Sequence, residues 1–475
     1  MTKKTFVIFP HQLFYTETSQ YLQDAKCIKE VLIVEEPLFF YDEVWRPIRP
    51  HKIKLIYHVA SMKAFYDYLK GDMASKRPDI SVKYVKYVQA EKKLQKLKGF
   101  VSWSLHDMDL YKKYPQVHTA EISSPYFLMN EEDLAEYHRK TMHRKTQSNA
   151  ALYDFVKKKL DVLAGIASTD TENRKPLPKK NKIVIPALEE MSGDTKTKKY
   201  VQDAIKYVKA HPAFQEHVGE VEDLKNVCIY PHTREEAFAR LRGFIKERFE
   251  NYGTYQDAIS QDEPFLFHSI ISAPLNIGIL TPRDVLDEVM AVKDKVPMNS
   301  LEGFVRQLIG WREYCNYVYS YYYDEIVDAD HFDATNEDIS SWYTATTGVE
   351  PLDNEIQKAK KYAFSHHIVR LMIFLNMFVL TETKINVIYK WFMEVVSIDA
   401  YDWVMRSNIA MMSHYWTKGM RKPYISGANY VLKMSDYKKG EWCNVWTERF
   451  HTFLKKKKDK LVGSASIYLR NIPRE

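Results

Sequence analysis

The chain has 475 residues with 69 basic and 62 acidic side chains, a formal charge of +7, which makes it mildly basic and long enough for two or three domains. With 45% apolar and 28% charged residues it falls in the globular range, which excludes global disorder and a membrane bundle. Aromatic residues reach 14% while glycine fills only 15 positions, and neither G-x-G-x-x-G nor G-x-x-x-x-G-K-[ST] occurs, so a Gly-rich phosphate cradle is excluded.

Met1-Thr-Lys-Lys runs into an apolar stretch with no secretory h-region, which predicts an intracellular, reducing location. Apolar runs at 5–9, 29–34, 81–88 and 100–104 read as strands, and residues 52–69 repeat Leu55, Val59, Met62, Tyr66 and Leu69 at helical spacing. Strand, helix, strand predicts a parallel α/β domain over residues 1–135. Residues 165–200 break this pattern around Arg174-Lys-Pro-Leu-Pro-Lys-Lys-Asn-Lys182. Residues 136–232 therefore read as an interdomain crossing with helical segments, preferably an ordered wrap around one domain, with a simple tether as the alternative. Beyond it, 234–252, 281–292, 301–323, 354–380, 387–396 and 442–458 are helix-compatible, so residues 233–475 form an all-α domain. The apolar stretch 362–380 holds His366, His367, Arg370 and Asn376, and lipid burial of these would be costly, so it reads as a buried helix lining a polar site. Cys27, Cys228, Cys315 and Cys443 lie at least 87 residues apart, which excludes a disulfide framework or paired zinc ligands.

Four clusters in the helical half could carry chemistry. Ser269 and Ser272, with Asn276 after them, would share a helix face next to free N–H groups and suit a phosphate, or act as caps. Arg306 with Trp311-Arg312-Glu313 is either a ligand site or a structural ion pair. His366 and Arg370, at i and i+4, can bring an imidazole and a guanidinium into one cavity, and His367 adjoins them. Asp399 and Asp402 precede Met405 and Asn408, with Trp391 and Trp403 nearby, a setting for a planar redox ligand or simply for core packing.

Along nearly the whole chain run Phe9-Pro-His-Gln-Leu13, His51-Lys-x-Lys54, Ser124-Pro-x-Phe-Leu128, Tyr255-Gln-Asp-Ala258, Phe267-His-Ser269, Ser300-Leu-Glu-Gly-Phe304, Ile309-Gly-Trp-Arg-Glu313, His366-His367, Asp399-Ala-Tyr-Asp-Trp403, Lys422-Pro-Tyr-Ile-Ser426 and Lys433-Met-Ser-Asp-Tyr437. In this order they resemble the photolyase and cryptochrome superfamily, in particular its deoxyribodipyrimidine photolyase-related branch, which holds the bacterial (6-4) photolyases. The resemblance implies a Rossmann-like antenna domain followed by an all-helical domain that binds FAD. It also implies light-driven electron transfer from reduced FAD to a pyrimidine lesion flipped out of UV-damaged DNA. By the same resemblance, Ser269, Ser272, Asn276, Arg306, Trp311, Arg370, Asp399, Met405 and Asn408 bind the cofactor, with Arg370 pairing Asp399 and Met405 facing the flavin. His367, then His366, would be catalytic in (6-4) repair, and Trp391 would begin an electron relay continued by Tyr343 and Trp403. A lumazine-type antenna with Glu35 or Glu36 as its contact is implied too. Cluster-bearing relatives ligate iron–sulfur through four cysteines, whereas Pro351, Lys438 and Glu441 stand at three of those positions and Cys443 is the sole cysteine of the region, so no such cluster is expected. The branch also implies lyase activity and a monomer outside any membrane. A cryptochrome-like light sensor without repair and a cyclobutane dimer photolyase are the alternatives.

Overall fold

The computed structural model describes residues 4–119, 123–179, 183–191, 195–220 and 224–472. Met1 to Lys3 of the N-terminal reading and Lys180 to Lys182 of the charged crossing lie outside these residues.

Five parallel strands, β1 (Lys4–Ile8), β2 (Ile28–Val34), β3 (Ser81–Val85), β4 (Phe100–Ser102) and β5 (Val117–Thr119), form one sheet in the order β3-β2-β1-β4-β5. The carboxyl-terminal parts of the central strands, residues 6–8 of β1 and 31–34 of β2, are continuous apolar runs because both faces are covered. The strand order reverses at β1, and at that switch point the carboxyl ends of β1 and β4 are tied by Gln12. Its Oε1 accepts from Ser102 at 3.0 Å, and its Nε2 donates to the Trp103 carbonyl at 3.2 Å. The expected strands are all present, and the three-residue edge strand β5 adds one that periodicity did not reveal.

The helix Lys52–Lys76 is buried on every side of its N-terminal half, from Ile53 to Met62, because the sheet, the helix Thr195–Ala210 and the helical half all pack on it. Its cap, His51, accepts from Ile53 N at 3.1 Å and reaches the Lys360 carbonyl of the helical half at 2.7 Å. Gly219, at φ +94°, packs flat against this imidazole, where a Cβ would come within 2.0 Å of the ring.

Within the crossing, residues 169–189 follow the helical half, whereas the helix Thr195–Ala210 packs on Lys52–Lys76 of the α/β half. Thr169 donates to Glu302, Asn173 Nδ2 to the Asn299 carbonyl at 3.2 Å, and Arg240 Nη2 to the Glu189 carbonyl at 2.5 Å. From Arg234 onward the chain is helical apart from short connections. Two expectations are corrected here. The single helix over 354–380 is two: Glu350–Tyr362 ends at Ala363, held left-handed at φ 54° while its carbonyl accepts from Ile398 N at 3.0 Å, and helix resumes at His367. Ser269 and Ser272 do not share a helix face, because Leu266 and Ile270 take positive φ and only Ser272 enters the five-residue helix Ser272–Asn276.

Candidate functional site

The break after Tyr362 places Ser365, His366 and His367 at a helix start, directly before the π-helical turn Arg370–Leu375. A second π-helical turn, Arg306–Trp311, interrupts the helix run from Met298 to Ile326. Such turns widen a helix locally and recur at functional sites, and here each begins on an arginine singled out in the sequence.

Arg370 Nη2 donates to both carboxylate oxygens of Asp399, at 2.9 and 3.0 Å, and its Nε donates to the Ser365 carbonyl at 2.5 Å. The Asp399 carbonyl accepts from Asn276 Nδ2 at 2.8 Å, and Asn276 Oδ1 accepts from Arg312 at 2.5 Å. Arg370, Asp399 and Asn276 are thus one connected unit. Lys54, fully buried, donates to the Ala400 carbonyl and lies 4.1 Å from the centre of the Tyr401 ring. Burial lowers its amine to about 7 although Asp399 pulls the other way.

His366 stacks on His268 with ring centroids 4.6 Å apart, and burial holds both imidazoles well below their ordinary range, so both are neutral at neutral pH. His366 is further disfavoured as a cation by His268, His367 and Arg370. His367 points outward, its side chain 45% exposed, with Nε2 3.1 Å from Asp257 Oδ1. Asp257 and Arg174 both act electrostatically on Tyr424 and Tyr430, and the exposed Arg421 and Lys422 precede Tyr424.

The other candidates separate. Trp311 Nε1 donates to Asn408 Oδ1 at 2.9 Å, and Asn408 Nδ2 donates to the Val404 carbonyl at 2.6 Å, so both ends of that amide have protein partners. Met405 is buried on the same helix. Arg306 pairs with Glu302 at 3.3 Å and Asp170 at 3.4 Å, the structural alternative of the sequence reading. Ser269 lines a small crevice with Arg240 and Arg248. Asp402 is saturated by Tyr389 at 2.5 Å, Tyr319, Arg406 at 3.3 Å and Arg46 at 3.8 Å.

A cavity of about 480 Å³ opens beside the carboxyl end of β2, lined by Glu35, Lys63, Lys86, Lys196, Lys199, Tyr200 and Tyr207 among others. Glu35 Oε2 accepts from Tyr207 at 2.8 Å there. Glu36 is not part of this lining, being buried against Lys113 at 2.9 Å and Tyr114 at 3.0 Å.

A family model described as deoxyribodipyrimidine photo-lyase-related protein matches residues 6–225. A (6-4) photolyase of Agrobacterium fabrum is 32% identical over 272 residues, 56% of this chain and 51% of that protein, so the matched stretch spans about half of that relative. An uncharacterized protein of Acanthamoeba polyphaga mimivirus is 31% identical over 209 residues, which cover 98% of it. Residues 6–225 belong to the deoxyribodipyrimidine photolyase-related family. The fold of the chain is that of the photolyase and cryptochrome superfamily. A bacterial class III photolyase from Agrobacterium tumefaciens superposes with TM-score 0.57 at 13% identity, covering 100% of this chain and 93% of that one. A Synechocystis sp. PCC6803 cryptochrome gives the same score and identity over 99% and 88%.

In this photolyase-related chain the tryptophans sort by contact. Trp391, fully buried, meets Trp342 at 5.3 Å, Phe374 at 5.0 Å and Phe378 at 5.4 Å. Trp403 packs instead on Phe127 and Tyr126 beneath Arg312, and Tyr343 donates to Glu394 at 2.6 Å, so the ring contact of Trp391 toward another tryptophan is to Trp342. Trp342, His268 and Asp257 were missed as site residues by sequence reasoning. Trp342, set among serines and threonines, has no local mark of function, although His268 and Asp257 both sit inside motifs of the resemblance. Among the described residues no helix is long and apolar enough to cross a membrane, in keeping with the reading of 362–380.

Proposed function

We propose that this protein is an FAD-dependent, light-driven DNA photolyase acting on (6-4) photoproducts. The observation that carries the reading is the Arg370–Asp399 pair set beside the His366–His367 break. Among the described residues the buried Ser365 Oγ, His366 Nδ1 and His268 Nε2 at this break, and Trp391 Nε1, have no hydrogen-bond partner. Buried polar atoms need partners, and a flavin with its lesion would supply them, so the residues present fit such a group. Asn276, Arg370 and Asp399 would hold FAD, with Met405, Trp311 and Asn408 on the neighbouring helices and Ser269 and Ser272 toward its phosphates. Reduced FAD, when bound, supplies the electron that light sends to the lesion.

The chain's own residues do the rest. Asp257 orients His367, which at the exposed mouth exchanges a proton with the lesion. His366, kept neutral by burial, relays that proton by releasing one from one ring nitrogen as the other nitrogen takes one up, which adds no net charge next to Arg370. Trp391 and Trp342 form the path by which the oxidised cofactor would be re-reduced. Arg174, Arg421 and Lys422 suit DNA phosphates, which carry no sequence information and therefore admit a lesion in any context. The 480 Å³ cavity at Glu35 is our site for a lumazine-type antenna.

The cluster-free reading has support in how two segments are joined. Residues 350–355 and 436–442, where relatives would place cysteines, are fastened by Asn354 donating to Tyr437 at 2.6 Å and Tyr437 donating to Glu355 at 3.0 Å.

The test is irradiation of the purified, reduced protein with oligonucleotides carrying either a (6-4) photoproduct or a cyclobutane dimer. The reading expects blue-light-dependent loss of the (6-4) lesion and none in the dark. Repair of the dimer alone would change the substrate, and flavin photoreduction with repair of neither would establish the light-sensor alternative.

A further inference from the structure

Three imidazoles converge at the mouth from two separate segments: His268 from the loop before the helix Ser272–Asn276, and His366 and His367 from the break after Tyr362. Ligand-capable atoms of the three lie within 4.8 Å of one another. His268 and His366 stack at 21°, and the His367 ring stands at 78° to His268 with centroids 5.6 Å apart. Both His268 Nε2 and His366 Nδ1 are buried without a hydrogen-bond partner, and His366 as a residue is only 5% exposed.

We propose that His268, His366 and His367 form a binding site for a divalent cation of the imidazole-seeking class, Zn²⁺ or Co²⁺, with Asp257 as the carboxylate that orients His367. Three imidazoles and one open position are a donor set that such ions favour. The Asp257–His367 bond of 3.1 Å supplies the carboxylate–histidine–metal arrangement that fixes a ligating ring. Metal–nitrogen bonds of about 2.0–2.1 Å bring tetrahedral ligand atoms to about 3.3 Å from each other. Closing the present spacing to that value needs one of the stacked rings of His268 and His366 to turn, because imidazole lone pairs lie in the ring plane and these two planes are only 21° apart.

A bound ion would occupy the lone pairs of the histidines assigned to proton handling, so its consequence is reversible inhibition of repair. That consequence rests on the photolyase reading, whereas the site itself does not.

The test is calorimetric titration, in the dark and without DNA, of the chelator-treated full-length FAD-loaded protein with Zn²⁺, with Co²⁺ absorption as a second readout. A single saturable equivalent and the ligand-field bands of four-coordinate Co²⁺ are expected. Asp257→Asn should weaken binding by about 10–100-fold. His367→Gln, at an exposed position where folding is not at risk, should weaken it by at least as much. Absence of saturable binding in the wild type, or unchanged affinity in His367→Gln, overturns the site. Because no repair is measured, a protein without photolyase activity tests the proposal equally well.

Discussion

Asp399 and Asp402 stand three residues apart on the same turn into the helix Asp402–Met412, and each meets an arginine, yet their surroundings differ in kind. Asp402 belongs to the seam between the α/β and helical halves. Arg46 joins it there to Asp107 at 2.7 Å and Asp109 at 2.8 Å, and two tyrosine hydroxyls fill the rest of its acceptor capacity. Burial alone would raise its carboxyl, but Arg46, Arg406 and the hydroxyls outweigh it and hold Asp402 below the ordinary carboxylate range. Asp107, more weakly compensated, is pushed by burial up to about 6. Among the described residues Asp399 shares its carboxylate with Arg370, which also binds the carbonyl of Ser365, a residue whose buried hydroxyl has no partner there. A carboxylate with every lone pair spoken for is structural, whereas one beside unmet polar atoms awaits a ligand.

The largest expected effect concerns the seam's histidines. His11 and His106 are lowered to about 3 and His51 to about 4, chiefly by burial. They are neutral in the fold, while the unfolded chain protonates them near 6.5, so the unfolded state binds more protons between those values. The stability they leave intact above about pH 6.5 is lost as pH falls, by roughly 2 kcal/mol per imidazole at pH 5. Denaturant melts between pH 7.5 and 5 should show this steep decline, and a flat profile would mean that the seam admits protonated histidine.

Asp402→Asn should come next, costing about 3–5 kcal/mol because it leaves buried cations and hydroxyls short of their acceptor. Chemical denaturation measures it, and a loss below 1 kcal/mol would remove Asp402 from the structural side of the comparison. Trp391→Phe trims an apolar cluster and should cost about 1–2 kcal/mol. Its main effect should be on flavin photoreduction, which transient absorption would find much slowed. Asp399→Asn should have the least effect on stability, about 1 kcal/mol, while FAD is retained less well through purification. Equal losses of stability in the Asp399 and Asp402 variants would erase the distinction.

The seam and the mouth also differ in how readable they were. The parallel sheet was legible because residues 6–8 of β1 and 31–34 of β2 are buried on both faces and so must be apolar. The helix Lys52–Lys76 was recognised by period, although its last seven residues were not. The break at Ala363 had no glycine or proline to announce it, and the left-handed turn is imposed by the hydrogen bond from Ile398, a contact thirty-five residues away. Helical spacing misled at Ser269 and Ser272 for the same reason, since Leu266 and Ile270 hold positive φ under tertiary constraint. The Arg370–Asp399 pair came from family resemblance and not from spacing. Trp342 escaped because its role depends on which ring it touches.

The central claim is that the mouth, with His367 oriented by Asp257, performs the proton chemistry of lesion repair. It is tested most directly by the quantum yield of (6-4) photoproduct repair in wild type and His367→Gln, both loaded with reduced FAD. A fall of about 10²-fold or more, with FAD content and thermal stability unchanged, is the predicted result. Equal yields in the two proteins would contradict it.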